Sequence, residues 1–250
     1  MRLIKITGQN HFSPMDYEEK KGPRYAVLSH TWGANNEEVT YKDLIEGTGV
    51  SKAGWQKLEF CRKQAAADGL QHFWVDTCCI NKDSSAELSE AITSMFRWYH
   101  GAEKCYVYLS NVSIYEPTTE VNIPMAAMEK LLGKSRWFYR GWTLQELIAP
   151  TCVEFFSRNG DLLGTKQSLE KPIHNITGIA IEALRGRPMT DFTLEERFNW
   201  AKSRKTKRDE DEAYSMVGIF DVSMTQKYGE GKIHASRRLR EEISKSLMRE

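Results

Sequence analysis

Short apolar runs that end in polar loops, separated by stretches with helical spacing, set the strongest limit on how this chain folds. Tyr25-Ala26-Val27-Leu28 runs into Ser29-His30-Thr31-Trp32-Gly33 and reads as a buried strand with a loop at its carboxyl end. From Ala53 to Asp68, Trp55, Leu58, Cys61 and Ala65 recur at helical spacing, and Gly69 stops the pattern. His72 to Asp76 is a second buried strand with Thr77 to Lys82 as its exit loop. Asp83 and Ser84 offer caps for a helix whose inner face is Leu88, Ala91, Ile92, Met95 and Tyr99. Lys104 to Leu109 and Cys152 to Phe156 supply a third and a fourth strand. Strands alternating with helices predict an α/β fold, a parallel sheet with helices on both faces.

From about Leu162 the pattern turns largely helical, with apolar faces on Leu194, Phe198 and Ala201, on Ala213, Met216, Val217 and Phe220, and on Leu239, Ile243 and Leu247. No Pro/Gly/Ser linker separates the two parts, so the second reads as an appended helical layer rather than a free domain.

Composition narrows the function classes. The 250 residues are 40% hydrophobic and 28% charged, with a formal net charge of +1, so no nucleic-acid footprint or acidic tail stands out. The densest basic run, Lys202 to Arg208, is followed by Asp209-Glu210-Asp211-Glu212 and reads as the solvated start of a helix. No apolar run approaches the roughly 20 residues that span a bilayer, and the opening Met1 to Ile6 is too short for a signal-peptide core. The chain is expected in the cytoplasm, away from membranes. The five cysteines, odd in number and mostly inside apolar segments, read as reduced core thiols, and Cys78-Cys79 lacks the partners of a zinc site. No metal is expected.

Phosphate-binding glycine loops of the Gly-x-x-x-x-Gly-Lys-Ser/Thr and Gly-x-Gly-x-x-Gly kinds are absent, and so is a Gly-x-Ser-x-Gly elbow. Tyr228-Gly229-Glu230-Gly231 reads as a turn.

Two groups of residues remain as candidates for chemistry. In open parallel sheets ligands bind outside the carboxyl ends of the strands, which draws Ser29, His30, Trp32, Asp76 and Asn81 toward one edge. The second group is Ser135 to Leu147, where a helix starting after Gly141 puts Trp142 and Glu146 on one face, away from a core-facing stripe of Leu144, Leu147 and Ile148. Glu146 there is either a solvated side chain or the working group of a cleft.

Together Met1-Arg2-Leu3-Ile4, Tyr25 to Gly33, Trp74 to Lys82 and Arg140 to Leu147 resemble the fungal HET (heterokaryon incompatibility) domain. Ala201 to Thr206, Glu210 to Ser215 and Tyr228 to Gly231 resemble segments that follow the core in that family. The resemblance implies a single domain over residues 1–250, with a core at about 22–160 and a helical extension at about 161–250. It also implies a programmed-cell-death effector, commonly the N-terminal module of a receptor with a nucleotide-binding and repeat region.

HET domains are in turn similar to TIR domains, which implies a TIR-like, flavodoxin-like core. The strand exit at Leu28-Ser29 and the helix Trp142 to Leu147 look like the TIR first-strand loop and its Ser-x-Trp-Cys-x-x-Glu-Leu helix, with Thr143 in place of the cysteine. Carried over, Glu146 becomes the catalytic carboxylate for cleavage of the nicotinamide ribosyl bond of NAD, which is substrate and not cofactor. A carboxylate stabilises an oxocarbenium-like state, and the leaving nicotinamide is neutral. Ser29, His30, Trp32, Asp76, Trp142 and Arg140 are the expected substrate contacts; Arg136 or Arg140 would meet pyrophosphate oxygens, and Trp32 or Trp142 would stack on a ring. Activity on self-association into oligomers is expected. The alternatives are a non-enzymatic adaptor that only self-associates, and an enzyme acting on another nucleotide or nucleic acid.

Overall fold

A computed structural model describes residues 1–8, 11–18, 21–114 and 123–248, and a seven-stranded sheet runs through its centre. The strands are β1 (Arg2–Gly8), β2 (His11–Asp16), β3 (Ala26–His30), β4 (His72–Trp74), β5 (Lys104–Leu109), β6 (Val153–Ser157) and β7 (Leu162–Thr165), in the order β2-β1-β4-β3-β5-β6-β7. The middle four, β4-β3-β5-β6, are parallel. Around them, β1 is antiparallel to both β2 and β4, and β7 to β6.

The fold is α/β, with one correction: the sheet is parallel only at its centre. The edge strands escaped the sequence pattern because each is a weak signal. Pro14 interrupts β2, and β7 is four residues with Gly164 among them; both residues are compatible with an edge, where ladder bonds are needed on one side only. β7 also carries the sheet past the point where the sequence turns helical.

The helices are α1 (Tyr41–Glu46), α2 (Trp55–Ala67), α3 (Ser85–His100), α4 (Met125–Gly133), α5 (Thr143–Ile148), α6 (Glu170–Thr177), α7 (Ile181–Leu184), α8 (Leu194–Ala201), α9 (Asp211–Tyr214) and α10 (Gly231–Leu247). Their ends follow local chemistry. Gly69, at φ +73°, follows α2 in the left-handed region that L residues avoid, and the Ser84 hydroxyl accepts from Glu87 N to cap α3.

Strand alternation assigns the helices to faces. Tyr106 and Tyr108 meet Phe60 of α2, and on the same face Phe73 and Trp55 both pack on Phe12. On the other face Cys105 reaches the backbone of α5, and Trp74 packs on Trp98 and Tyr99 of α3. All of β3 is buried, as a parallel strand covered on both sides must be.

The segment from α6 onward joins the same core: one continuous buried cluster runs from Leu3 to Ile243. The joint with α5 is close. Gln145 Nε2 donates to Ser215 O at 2.7 Å, and Gly218 approaches so nearly that a Cβ there would lie 2.3 Å from Phe96 Cβ and 2.6 Å from Gln145 Oε1. Gly218→Ala is therefore expected to cost about 1–3 kcal/mol through overpacking, measured as a lower urea midpoint with an unchanged slope.

Candidate functional site

In the order β4-β3-β5-β6 the chain turns to one side of β3 and then crosses to the other, which makes a switch point of the kind where open α/β sheets hold ligands. Ser29 lies near the carboxyl end of β3 at that point. Glu146 arrives from the β5–β6 connection, through a 3₁₀ turn (Arg136–Tyr139) and α5.

Three buried side chains meet there. Trp137 Nε1 donates to Ser29 Oγ at 2.7 Å, and Ser29 Oγ donates to Glu146 Oε2. An indole is only a donor, so the serine oxygen must accept from it, which leaves the hydroxyl proton for the carboxyl. The Tyr99 hydroxyl, which donates to Leu28 O at 3.2 Å, lies beside the same carboxyl. Thr143 fixes the start of α5: its hydroxyl lies 2.6 Å from Trp137 O and 2.8 Å from Arg140 O, and accepts from Arg204 Nη1 at 2.9 Å.

The loop after β3 is held from below. Lys57 Nζ donates to Thr31 O at 3.1 Å and pairs with Glu38, whose Oε1 also accepts from Gly33 N at 2.6 Å. Trp32 is thereby presented to Asp76, which accepts from Trp32 Nε1 at 2.8 Å and lies 3.2 Å from His30 Nε2. The Lys82 ammonium stands 3.7 Å over the Trp32 ring.

The two carboxyls of the site are pushed apart. Burial and the nearby Asp76 charge raise the Glu146 pKa to about 8, against which the Ser29 and Tyr99 hydroxyls and the Arg204 charge act only in part. Burial would raise Asp76 too, but its bonds to His30 and Trp32 and the charge on Lys82 outweigh it and hold Asp76 below its ordinary value. At neutral pH Glu146 is therefore protonated beside an ionised Asp76, the arrangement that separates acid and base roles. Burial lowers the Arg204 pKa to about 9, which leaves it charged at neutral pH.

A cavity of about 240 Å³ opens onto this group, with Glu146, His30, Trp32, Asp76, Arg140 and Trp142 on its walls. Ser29 is wholly buried behind the carboxyl and reaches the cavity only through Glu146. Asn81 is not on that wall; its N–H donates to Glu87 Oε1 at 2.8 Å. The expectation that Glu146 faces away from the core is corrected: all six residues of α5 are buried, because the C-terminal layer covers the face that a two-layer reading leaves open.

Sequence reasoning missed that layer's share of the site. Lys207, Arg208, Asp211 and Tyr228 complete the cavity wall, with Tyr228 Oη donating to Asp211 Oδ1 at 2.9 Å and Arg208 lying 4.1 Å over the Tyr228 ring. Burial raises the Asp211 pKa, opposed by bonds from Tyr228 and Trp142. Along the run Lys202 to Arg208, Lys202, Lys205, Lys207 and Arg208 are exposed, as a solvated run requires, with one exception among the basic residues. Arg204 is buried, Lys205 pairs beside Arg140 as an isolated parallel bridge, and Lys205 N and O bond Tyr139 O and Gly141 N at 2.6 and 3.0 Å.

Among the described residues no cluster of three or more His, Cys, Asp or Glu is placed to hold a metal, and no helix is long and apolar enough to cross a membrane.

The raised Glu146 pKa sets a stability prediction. An unfolded chain releases this proton near 4.5, whereas the folded protein keeps it until about 8. Across that window the native fold should lose stability relative to Glu146→Gln as pH rises, by about 1.4 kcal/mol per pH unit at most, and the difference should level off above it. Urea unfolding of both proteins from pH 4 to 9 measures this; a difference that stays flat from pH 5 upward would show an ordinary solvated glutamate.

Residues 25–127, from β3 to the start of α4, match the model of the family described as heterokaryon incompatibility protein (HET). Over 246 residues, 98% of its length, the chain is 53% identical to "Vegetative incompatibility protein HET-E-1" of Podospora anserina, and it spans 18% of that protein. No solved structure matches it. β3, β4 and β5 lie within the family match and the likeness to the Podospora protein spans 98% of the chain, so residues 25–127 carry a match to the heterokaryon incompatibility (HET) family.

Proposed function

We propose that this chain is the effector module of a fungal incompatibility response, and that it acts by cleaving NAD to nicotinamide and ADP-ribose when brought together in clusters. The response is what the name of the Podospora relative describes, and the chain's 18% share of that protein suits a module within a larger receptor. The chemistry rests on one observation: Glu146, a buried carboxyl whose pKa is raised to about 8, shares the wall of a small cavity at the carboxyl end of the sheet with Trp32 and Trp142. The strand order supports a TIR-like reading of the core, as does the pairing of a β3-exit serine with the glutamate of the Trp142–Leu147 segment.

In the reaction the C1′–N bond breaks and its electron pair goes to the pyridinium nitrogen, which releases neutral nicotinamide. Water adds to C1′ of the ribosyl cation and loses a proton, giving ADP-ribose. Glu146 as carboxylate stabilises the positive charge at C1′ or holds the ribose hydroxyls. The cationic pyridinium ring favours its ionised form on binding. Ser29, oriented by Trp137, fixes the carboxyl and acts as a positioning residue, whereas Trp32 and Trp142 provide aromatic surfaces.

Nicotinamide release by the purified chain, free and artificially clustered, tests this reading. Turnover is expected on clustering, with Glu146→Ala and Glu146→Gln at least about 100-fold slower and Ser29→Ala slower by about tenfold. Turnover should rise with pH toward about 8 as Glu146 ionises in the free protein. If clustered native protein releases no nicotinamide and still kills cells without Glu146, the module is an adaptor. Killing that needs Glu146 but spares NAD would point to another nucleotide.

A further inference from the structure

Beside the Glu146 cavity, and sharing Trp32, Arg140 and Lys207 with it, lies a trough of about 610 Å³. Arg136, Arg140, Lys205 and Lys207 line it, and no carboxylate does. Its remaining polar lining is Ser203, Thr31 and Tyr139.

What sets the four cations apart is that they gather in one trough with no acid among its lining. Other basic side chains of the chain meet acids closely, as in Lys104 with Glu154, Arg185 with Glu170 and Arg238 with Glu230. Among the described residues none of the four forms an ion pair, and the bond of Lys207 is to a neutral oxygen, Asn35 Oδ1, at 2.6 Å. With a formal net charge of +1, this gathering does not follow from a basic surface. Like charges held together repel. The backbone nonetheless fixes two of them side by side through the bridge of Arg140 to Lys205, closed by Lys205 N to Tyr139 O and Gly141 N to Lys205 O.

Resting on the reading that Glu146 acts on a ribosyl bond, we propose that this trough binds the pyrophosphate of the substrate, and that the C-terminal layer, through Lys205 and Lys207, restricts the site to phosphate-bearing nucleotides. The deep cavity, at about 240 Å³, falls below the range of about 300–1,000 Å³ of sites that hold a drug-sized ligand. It suits a base and its ribose. A dinucleotide must continue outward, and the shared wall leads its phosphates into the trough. Guanidinium and ammonium groups bind such oxygens through charge-assisted hydrogen bonds.

Calorimetric titration of Glu146→Gln with ADP, inorganic pyrophosphate and adenosine tests this without requiring turnover. ADP should bind at least about 30-fold more tightly than adenosine, and weaken as salt rises. Lys205→Ala, Lys207→Ala and Arg140→Ala should each weaken ADP by about tenfold, and Lys205→Ala, outside the deep cavity, should leave adenosine unchanged; Lys245→Ala on α10, outside the trough, controls for charge alone. In native protein, nicotinamide riboside should be cleaved far more slowly than NAD. Equal affinity for ADP and adenosine, or ADP binding indifferent to Lys205 and Lys207, would overturn the proposal. So would a single-stranded oligonucleotide that binds the trough more tightly than ADP. ADP binding without nicotinamide release would instead retain the trough and reject NAD cleavage.

Discussion

The chain from Trp137 through Ser29 to Glu146 is the interaction on which the site depends, because its three members come from three places in the sequence and all are buried. Each could satisfy the others only if β3, the 3₁₀ turn and α5 meet within hydrogen-bonding distance. A buried acid left unmatched costs a few kcal/mol. The protein offsets this in two ways: it keeps Glu146 protonated, and it surrounds it with hydroxyls. Thr143 ties α5 to the turn that carries Trp137, and Arg204 then fastens Thr143 to the C-terminal layer, so carboxyl, indole and layer share one network. The packing of Trp137 on Phe138 and Phe155 holds the indole at the angle that the serine requires.

That network explains why the C-terminal layer is part of the site. A sheet with α2 on one face and α3 and α5 on the other leaves the outer side of α5 bare. Residues 204–218 cover it, with Gln145 and Gly218 at the contact and Arg140 bridged to Lys205. The cover converts an exposed glutamate into a cavity wall, and contributes Asp211 and Tyr228 to that wall. Removing solvent also strengthens the charges that remain. A carboxyl and a guanidinium that would titrate independently in water here influence each other's pKa.

Much of this was legible in the sequence, and the gaps have physical causes. The buried strands Tyr25–Leu28, His72–Asp76, Lys104–Leu109 and Cys152–Phe156 stood out because strands covered on both faces are apolar throughout. Their exit loops then named His30, Trp32 and Asp76 correctly as neighbours of one cavity. The edge strands were hidden by Pro14 and Gly164, which propensity counts against a strand although an edge tolerates them. The surroundings of Glu146 were misread, since helical periodicity registers which face is apolar and not which face another layer will cover. The basic run at Lys202 to Arg208 is solvated as read except at Arg204, which is buried with hydrogen bonds to Trp200 O, Arg140 O and Thr143 Oγ1 that charge in sequence does not reveal. Only the resemblance of Ala201–Thr206 and Tyr228–Gly231 to family segments marked that region as more than surface.

Why the fold keeps an acid at this point can be argued from what would replace it. Leu or Gln at position 146 would fill the same volume beside Ser29 without a titrating group, and a buried ion or acid is weak evidence for stability. Its neighbour Asp76 makes the position worse for an anion, and the protein has not relieved this with an adjacent salt bridge to Glu146. Arg204 approaches from the layer, yet its guanidinium spends its named bonds on Trp200, Arg140 and Thr143, and its Nη2 remains unpartnered. The carboxyl is therefore held neutral, one proton loss away from its charged state, with an ionised carboxylate and a cation close by and neither of them joined to it by an ion pair among the described residues. A purely structural site would settle that balance, whereas a cationic group entering the cavity would tip it toward the carboxylate. The arrangement leaves Glu146 responsive to charge at some cost in stability, which is the physical support for the role proposed for it.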